Sequence, residues 1–121
     1  MNMEAFAITR VYADENGDSR FEDLTRSLNP EGEIGFLSDP EEVESIIFRK
    51  VVPTYDYDFH TAPARQYLFL LEGGIEIETS LGEKRSFKTG QVLLLEDTTG
   101  KGHRTRNLQT AVRSSVFVTL R

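Results

Sequence analysis

Apolar and polar positions alternate in short runs along most of this chain, and glycine, proline and aspartate cut the runs apart. Residues 55–60 read Tyr-Asp-Tyr-Asp-Phe-His. In an extended strand that puts Tyr55, Tyr57 and Phe59 on one face and Asp56, Asp58 and His60 on the other. Residues 75–79 alternate isoleucine or threonine with glutamate, the pattern of a half-buried strand. Residues 66–72 and 91–96 are denser apolar runs, bounded by Gly73-Gly74 and by Thr89-Gly90, and also predict strands. Further strands are predicted over 5–12, 20–24, 45–52, 84–87, 103–107 and 111–120. Asp14-Glu15-Asn16-Gly17-Asp18 between the first two is a turn signal. Residues 27–39 read as a loop with a short extended piece at 34–37. Pro40 to Glu44 offers one helical turn capped by Asp39, though a loop leading into the next strand is the preferred reading.

Eight to ten short strands with glycine-rich turns and almost no helix predict an all-β domain, a sandwich or a barrel. The length of 121 residues is that of a single domain spanning 1–121 with one core. No repeat or linker interrupts it.

Charge narrows the range of partners. The net charge of −6 argues against nucleic acid, which needs a basic face, and against anionic membrane surfaces. Arg104, Arg106 and Arg113 cluster near the end and read as a solvated strand face. The chain has no cysteine, so thiolate catalysis, disulfides and cysteine-ligated zinc are excluded. Residues 1–10 carry no apolar signal core, and no stretch is long enough to span a bilayer, so a cytoplasmic location is expected.

The chemistry-bearing residues are few. Its two histidines, His60 and His103, fall in two separate strand–turn patterns. The first runs from His60 through Gln66 to Gly73. The second runs from Gly90 through an apolar strand and Gly100-Lys101-Gly102 to His103 and Asn107. These two patterns resemble the paired motifs of the cupin superfamily. The resemblance implies a jelly-roll barrel, or double-stranded β-helix, with both histidines facing one interior site. In metal-binding cupins that site uses three histidines and a glutamate. Here Ala62 stands at the second histidine position and Gln66 at the glutamate position. The loop before His103 is longer than the family's proline-glycine turn. The resemblance therefore implies a degenerate metal site at His60, His103 and Gln66. Asp58, two residues before His60, would supply the missing carboxylate if strand alternation holds.

Two functions follow as expectations. One is a small-molecule-binding cupin, with His60, Gln66, His103, Arg65 and Tyr67 contacting the ligand. The other is a metal-dependent oxygenase, isomerase or lyase using iron, manganese, zinc or nickel and acting on a small polar or acidic metabolite. A homodimer is expected in either case, because cupins often pair through sheet faces. Other motifs fail. The Asp14 turn lacks the EF-hand glycine and glutamate at Ser19 and Thr25, and Gly100-Lys101-Gly102 lacks the rest of a phosphate loop.

Overall fold

Twelve strands carry the fold: β1 (Ala5–Ala13), β2 (Ser19–Ser27), β3 (Asn29–Pro30), β4 (Phe36–Leu37), β5 (Val43–Val51), β6 (Asp56–His60), β7 (Gln66–Glu72), β8 (Ile75–Thr79), β9 (Lys84–Phe87), β10 (Val92–Leu95), β11 (His103–Asn107) and β12 (Arg113–Leu120). They come from a computed structural model that describes residues 3–121. The helical content among these residues is one 3-10 turn at Gly32–Ile34, so the chain is all-β. Predicted strands at 66–72, 75–79, 84–87 and 103–107 match to the residue. β2 runs longer than its sequence pattern, because all nine of its residues pair with β1 in register, from Ser19↔Ala13 to Ser27↔Ala5. Cross-strand pairing carries polar residues into a strand that propensity alone would end.

Hydrogen bonding sorts the strands into a six-stranded sheet in the order β2-β1-β10-β7-β12-β5, a four-stranded sheet in the order β6-β11-β8-β9, and the small β3-β4 pair. The two main sheets share one apolar core. Val11, Leu68, Leu70, Leu93 and Leu95 come from the larger sheet, and Ile75, Ile77 and Phe87 from the smaller. Burying each such side chain contributes roughly 1.5–3 kcal/mol. The ladders do not close into a ring, so the expected closed barrel is instead two facing sheets with free edges at β2, β5, β6 and β9. Pro53 shows why β5 does not simply run on into β6. Having no N–H, it stops the ladder, and a turn closed by Tyr55 N–H on the Val52 carbonyl carries the chain to the other sheet.

The outer face of the larger sheet carries a second cluster of Ile8, Tyr67, Val92 and Leu94, with Phe69, Val118 and Leu120 against it. Within the apolar run of β7, Leu71 is 57% exposed. The bulge that shifts β12 against β7 between Ser114 and Ser115 leaves Leu71 without a register partner there. No helix among the described residues is long and apolar enough to cross a membrane.

Candidate functional site

The two histidines meet. His60 on β6 and His103 on β11 are register partners, and their ring centroids lie 4.7 Å apart. Both line a cavity of ≈ 370 Å³ between the sheets, together with Arg49, Tyr55, Tyr57, Gln66 and Thr105. Leu68, Ile77, Leu95 and Phe117 supply apolar wall. A concave, mostly apolar space with a few convergent polar groups is the usual form of a small-molecule site.

Each imidazole is held in one tautomer by an oxygen acceptor. His60 donates from Nδ1 to the Asp58 carbonyl at 2.7 Å. His103 donates from Nδ1 to Asp97 Oδ2 at 2.5 Å. Neither Nε2 has a hydrogen-bond partner among the described residues, and in the neutral ring each Nε2 carries a lone pair. The His103 pair is deeply buried, the histidine 2% exposed and Asp97 0%. Ser19 Oγ donates to the same Asp97 oxygen at 2.9 Å, which ties the site to the β1–β2 turn. From there Ser80 Oγ bonds Asp18, whose carboxylate also takes Lys101 Nζ at 2.9 Å. Burial holds His60 below the ordinary histidine range, reinforced by His103 and Arg49 and opposed by its bond to the Asp58 carbonyl and by Asp97. His60 is therefore neutral at pH 7.

A β-bulge aims the His60 side of the cavity. The pairs His103↔His60 and Thr105↔Tyr57 mean that β6 advances three residues while β11 advances two. The extra residue brings Tyr57 and His60 to the same wall, where their rings stack with centroids 3.8 Å apart. It also removes Asp58 from the site. Strict alternation would have aimed Asp58 inward, but its carboxylate is exposed and accepts the N–H of Phe59.

Two other expected contacts also lie elsewhere. Tyr67 follows the inward-facing Gln66 and so points to the outer face, where its hydroxyl bonds Glu41 and accepts from Arg26. Arg65 is exposed and pairs with Glu96 at 2.6 Å. Arg104 and Arg106 do form the expected solvated face, paired with Asp56 and Glu76. Arg113 does not. It is 1% exposed, because β12 pairs with β5 in a register that turns Arg113, Ser115 and Phe117 to the same face as Arg49 and Ile47.

The donor set fits a resident divalent ion poorly. Two imidazoles and the neutral amide of Gln66 are present, Ala62 is a buried wall residue, and Asp58 faces solvent. Among the described residues no three histidine, cysteine, aspartate or glutamate side chains are grouped to hold a metal. The carboxylate that balances the ion's charge in iron sites of this kind is missing from the wall. What the arrangement does offer is a pair of hydrogen-bond acceptors on a mostly apolar wall, one of them backed by a buried carboxylate. That carboxylate stabilises positive charge on His103 whenever its Nε2 takes a proton.

Sequence reading missed Arg49, Tyr55, Asp97 and Arg113. Nothing in the local pattern marks a lone aspartate in a polar loop or an arginine within a strand. The positions of Arg49 and Arg113 come from pairing between strands more than 60 residues apart.

No family model matches the chain, and no curated protein matches it. Among solved structures it is similar to the crystal structure of protein NMB1881 from Neisseria meningitidis, with a TM-score of 0.51. The two are 21% identical, over 68% of this chain and 84% of that one. At that identity the likeness bears on fold alone.

Proposed function

We propose that this chain is a small-molecule-binding protein of the cupin type, a jelly-roll-like β sandwich whose degenerate metal motif serves as a ligand pocket. The observation that carries this reading is the convergence of the two motif histidines on one cavity, each with Nδ1 anchored and Nε2 unpartnered. With its ring neutral, each imidazole Nε2 accepts a hydrogen bond from a ligand's hydroxyl or amide group, and Gln66 both donates and accepts. The protein acts as a homodimer in the cytoplasm. The support for pairing is the apolar character of edge strand β5, where Ile46 and Phe48 are exposed on the outer side.

A metal-dependent enzyme is the second reading, favoured by the same pair of Nε2 atoms. Elemental analysis of untagged protein separates the two. The binding reading expects far less than one equivalent of any divalent metal, unchanged in His103→Ala. One tightly held equivalent that disappears in His103→Ala would overturn the metal-free binding reading and leave the metal-dependent one. Histidine side-chain NMR tests the pocket itself, with both rings expected as Nδ1–H tautomers whose Nε2 signals move when a ligand binds.

A further inference from the structure

Ten arginines occur in the chain, and eight of them pair with a carboxylate. The two that do not, Arg49 and Arg113, are those turned to the inner face of β5 and β12. They are diagonal neighbours, since Arg49 pairs with Ser115 and Arg113 with Val51. Both guanidinium carbons approach the Tyr55 ring, at 5.6 and 5.1 Å from its centroid, and Arg49 also lies 4.4 Å from the Phe117 centroid. Tyr55, Phe117 and Arg49 all line the cavity. Arg49 Nε donates to Ser115 Oγ and Arg113 Nε to Asn107 Oδ1, bonds that orient the two groups without neutralising them. Both terminal nitrogens of Arg113 are buried with no hydrogen-bond partner among the described residues.

A buried cation without a counter-ion is costly, and folded proteins hold one only where something offsets the cost. Burial and the neighbouring Arg49 lower Arg113 to about 10, which still leaves it charged at neutral pH. No aspartate or glutamate lines the cavity, although the chain as a whole is acidic. The buried carboxylate Asp97 is absent from the cavity lining; its Oδ2 is engaged by His103 and Ser19, and its Oδ1 is buried without a partner. The positive charge at Arg49 and Arg113 has no carboxylate partner on the cavity wall, so the cavity is electrostatically complementary to an anion.

We infer that the ligand of this pocket is a small organic carboxylate, its anionic group held by Arg49 with Arg113 behind it and its apolar body against Phe117 and Leu68. The planar guanidinium matches a carboxylate fork, and the mostly apolar wall suits a carbon skeleton better than a fully hydrated inorganic ion. The two histidine Nε2 atoms then accept from polar groups elsewhere on the ligand. This inference rests on the pocket reading above and adds the charge of what the pocket takes.

Matched probes of equal shape test it on the untagged full chain: benzoate against benzamide, and hexanoate against hexanamide. Binding is followed by NMR at the His60 and His103 side chains and by thermal shift. The carboxylate of at least one pair should move both histidine signals and bind at least tenfold more tightly than its amide. Arg49→Met should lower that affinity at least tenfold. Arg113→Met should lower it severalfold with a Tm no lower than that of the parent chain; if that variant does not fold, Arg49→Met decides. Amides binding as tightly as their acids, or full affinity in Arg49→Met, overturns the anion assignment and leaves the pocket reading standing. Inorganic phosphate outcompeting both acids overturns the carboxylate. Failure of all four probes to perturb either histidine overturns the inference and the pocket reading together.

Discussion

At the scale of single residues, the Asp97–His103 pair is where structure and chemistry are most tightly joined. Asp97 is fully buried and holds both the His103 ring and the Ser19 hydroxyl. Removing one member of a buried pair strands the other, so Asp97→Ala is expected to lose about 3 kcal/mol of stability in a denaturant titration. His60 gives a pH signature. Its folded pKa lies below the ordinary value, so between the two values the unfolded chain binds the proton and the native chain does not. Its contribution is fully present above about pH 6.5. It is lost as pH falls below that toward the depressed folded value. A Tm profile from pH 7.5 down to 5 should therefore fall more steeply for the parent chain than for His60→Asn. Parallel profiles would show that burial does not hold the ring neutral. The histidine pair was readable in advance because the two strand–turn patterns carry it. Arg49 and Arg113 were not, because a strand arginine is ordinary until its cross-strand neighbours are known.

At the scale of elements, side-chain alternation made most of the strands legible, since a period of two leaves its mark in any half-buried strand. The facing of each residue was less legible. Counting in twos from His60 puts Asp58 in the site, and the bulge between the His60 and Tyr57 pairings defeats that count. Tyr67 failed for the complementary reason: its neighbour Gln66 takes the inward position, and both side chains of a strand covered on two faces are buried. The β10–β11 loop gives a test of how the His60 strand is held. Gly102 has φ +76°, and a Cβ there would overlap the His60 carbonyl. Gly102→Ala is expected to cost about 2 kcal/mol from backbone conformation alone. The overlap adds to this by pushing His60 off the wall, so ligand-induced shifts at both histidines should be lost along with part of the stability. An alanine variant with parent-like melting and binding would mean that the loop yields freely.

For the whole molecule, the outer side of β5 sets the expected assembly. Phe48 is 76% exposed on a strand with one unpaired edge, and Leu71 flanks the same groove. Phe48→Lys should turn a dimer in sedimentation velocity into a monomer while leaving the circular dichroism spectrum unchanged; a parent chain that sediments as a monomer would remove the case for pairing. The same edge has a mechanical consequence. β5 and β6 are terminal strands of different sheets, and each contributes wall to the cavity. Along that seam no backbone ladder joins the two sheets, and the chain crosses between them at the Pro53 turn, so this stretch of the cavity wall depends on side-chain packing more than on paired strands.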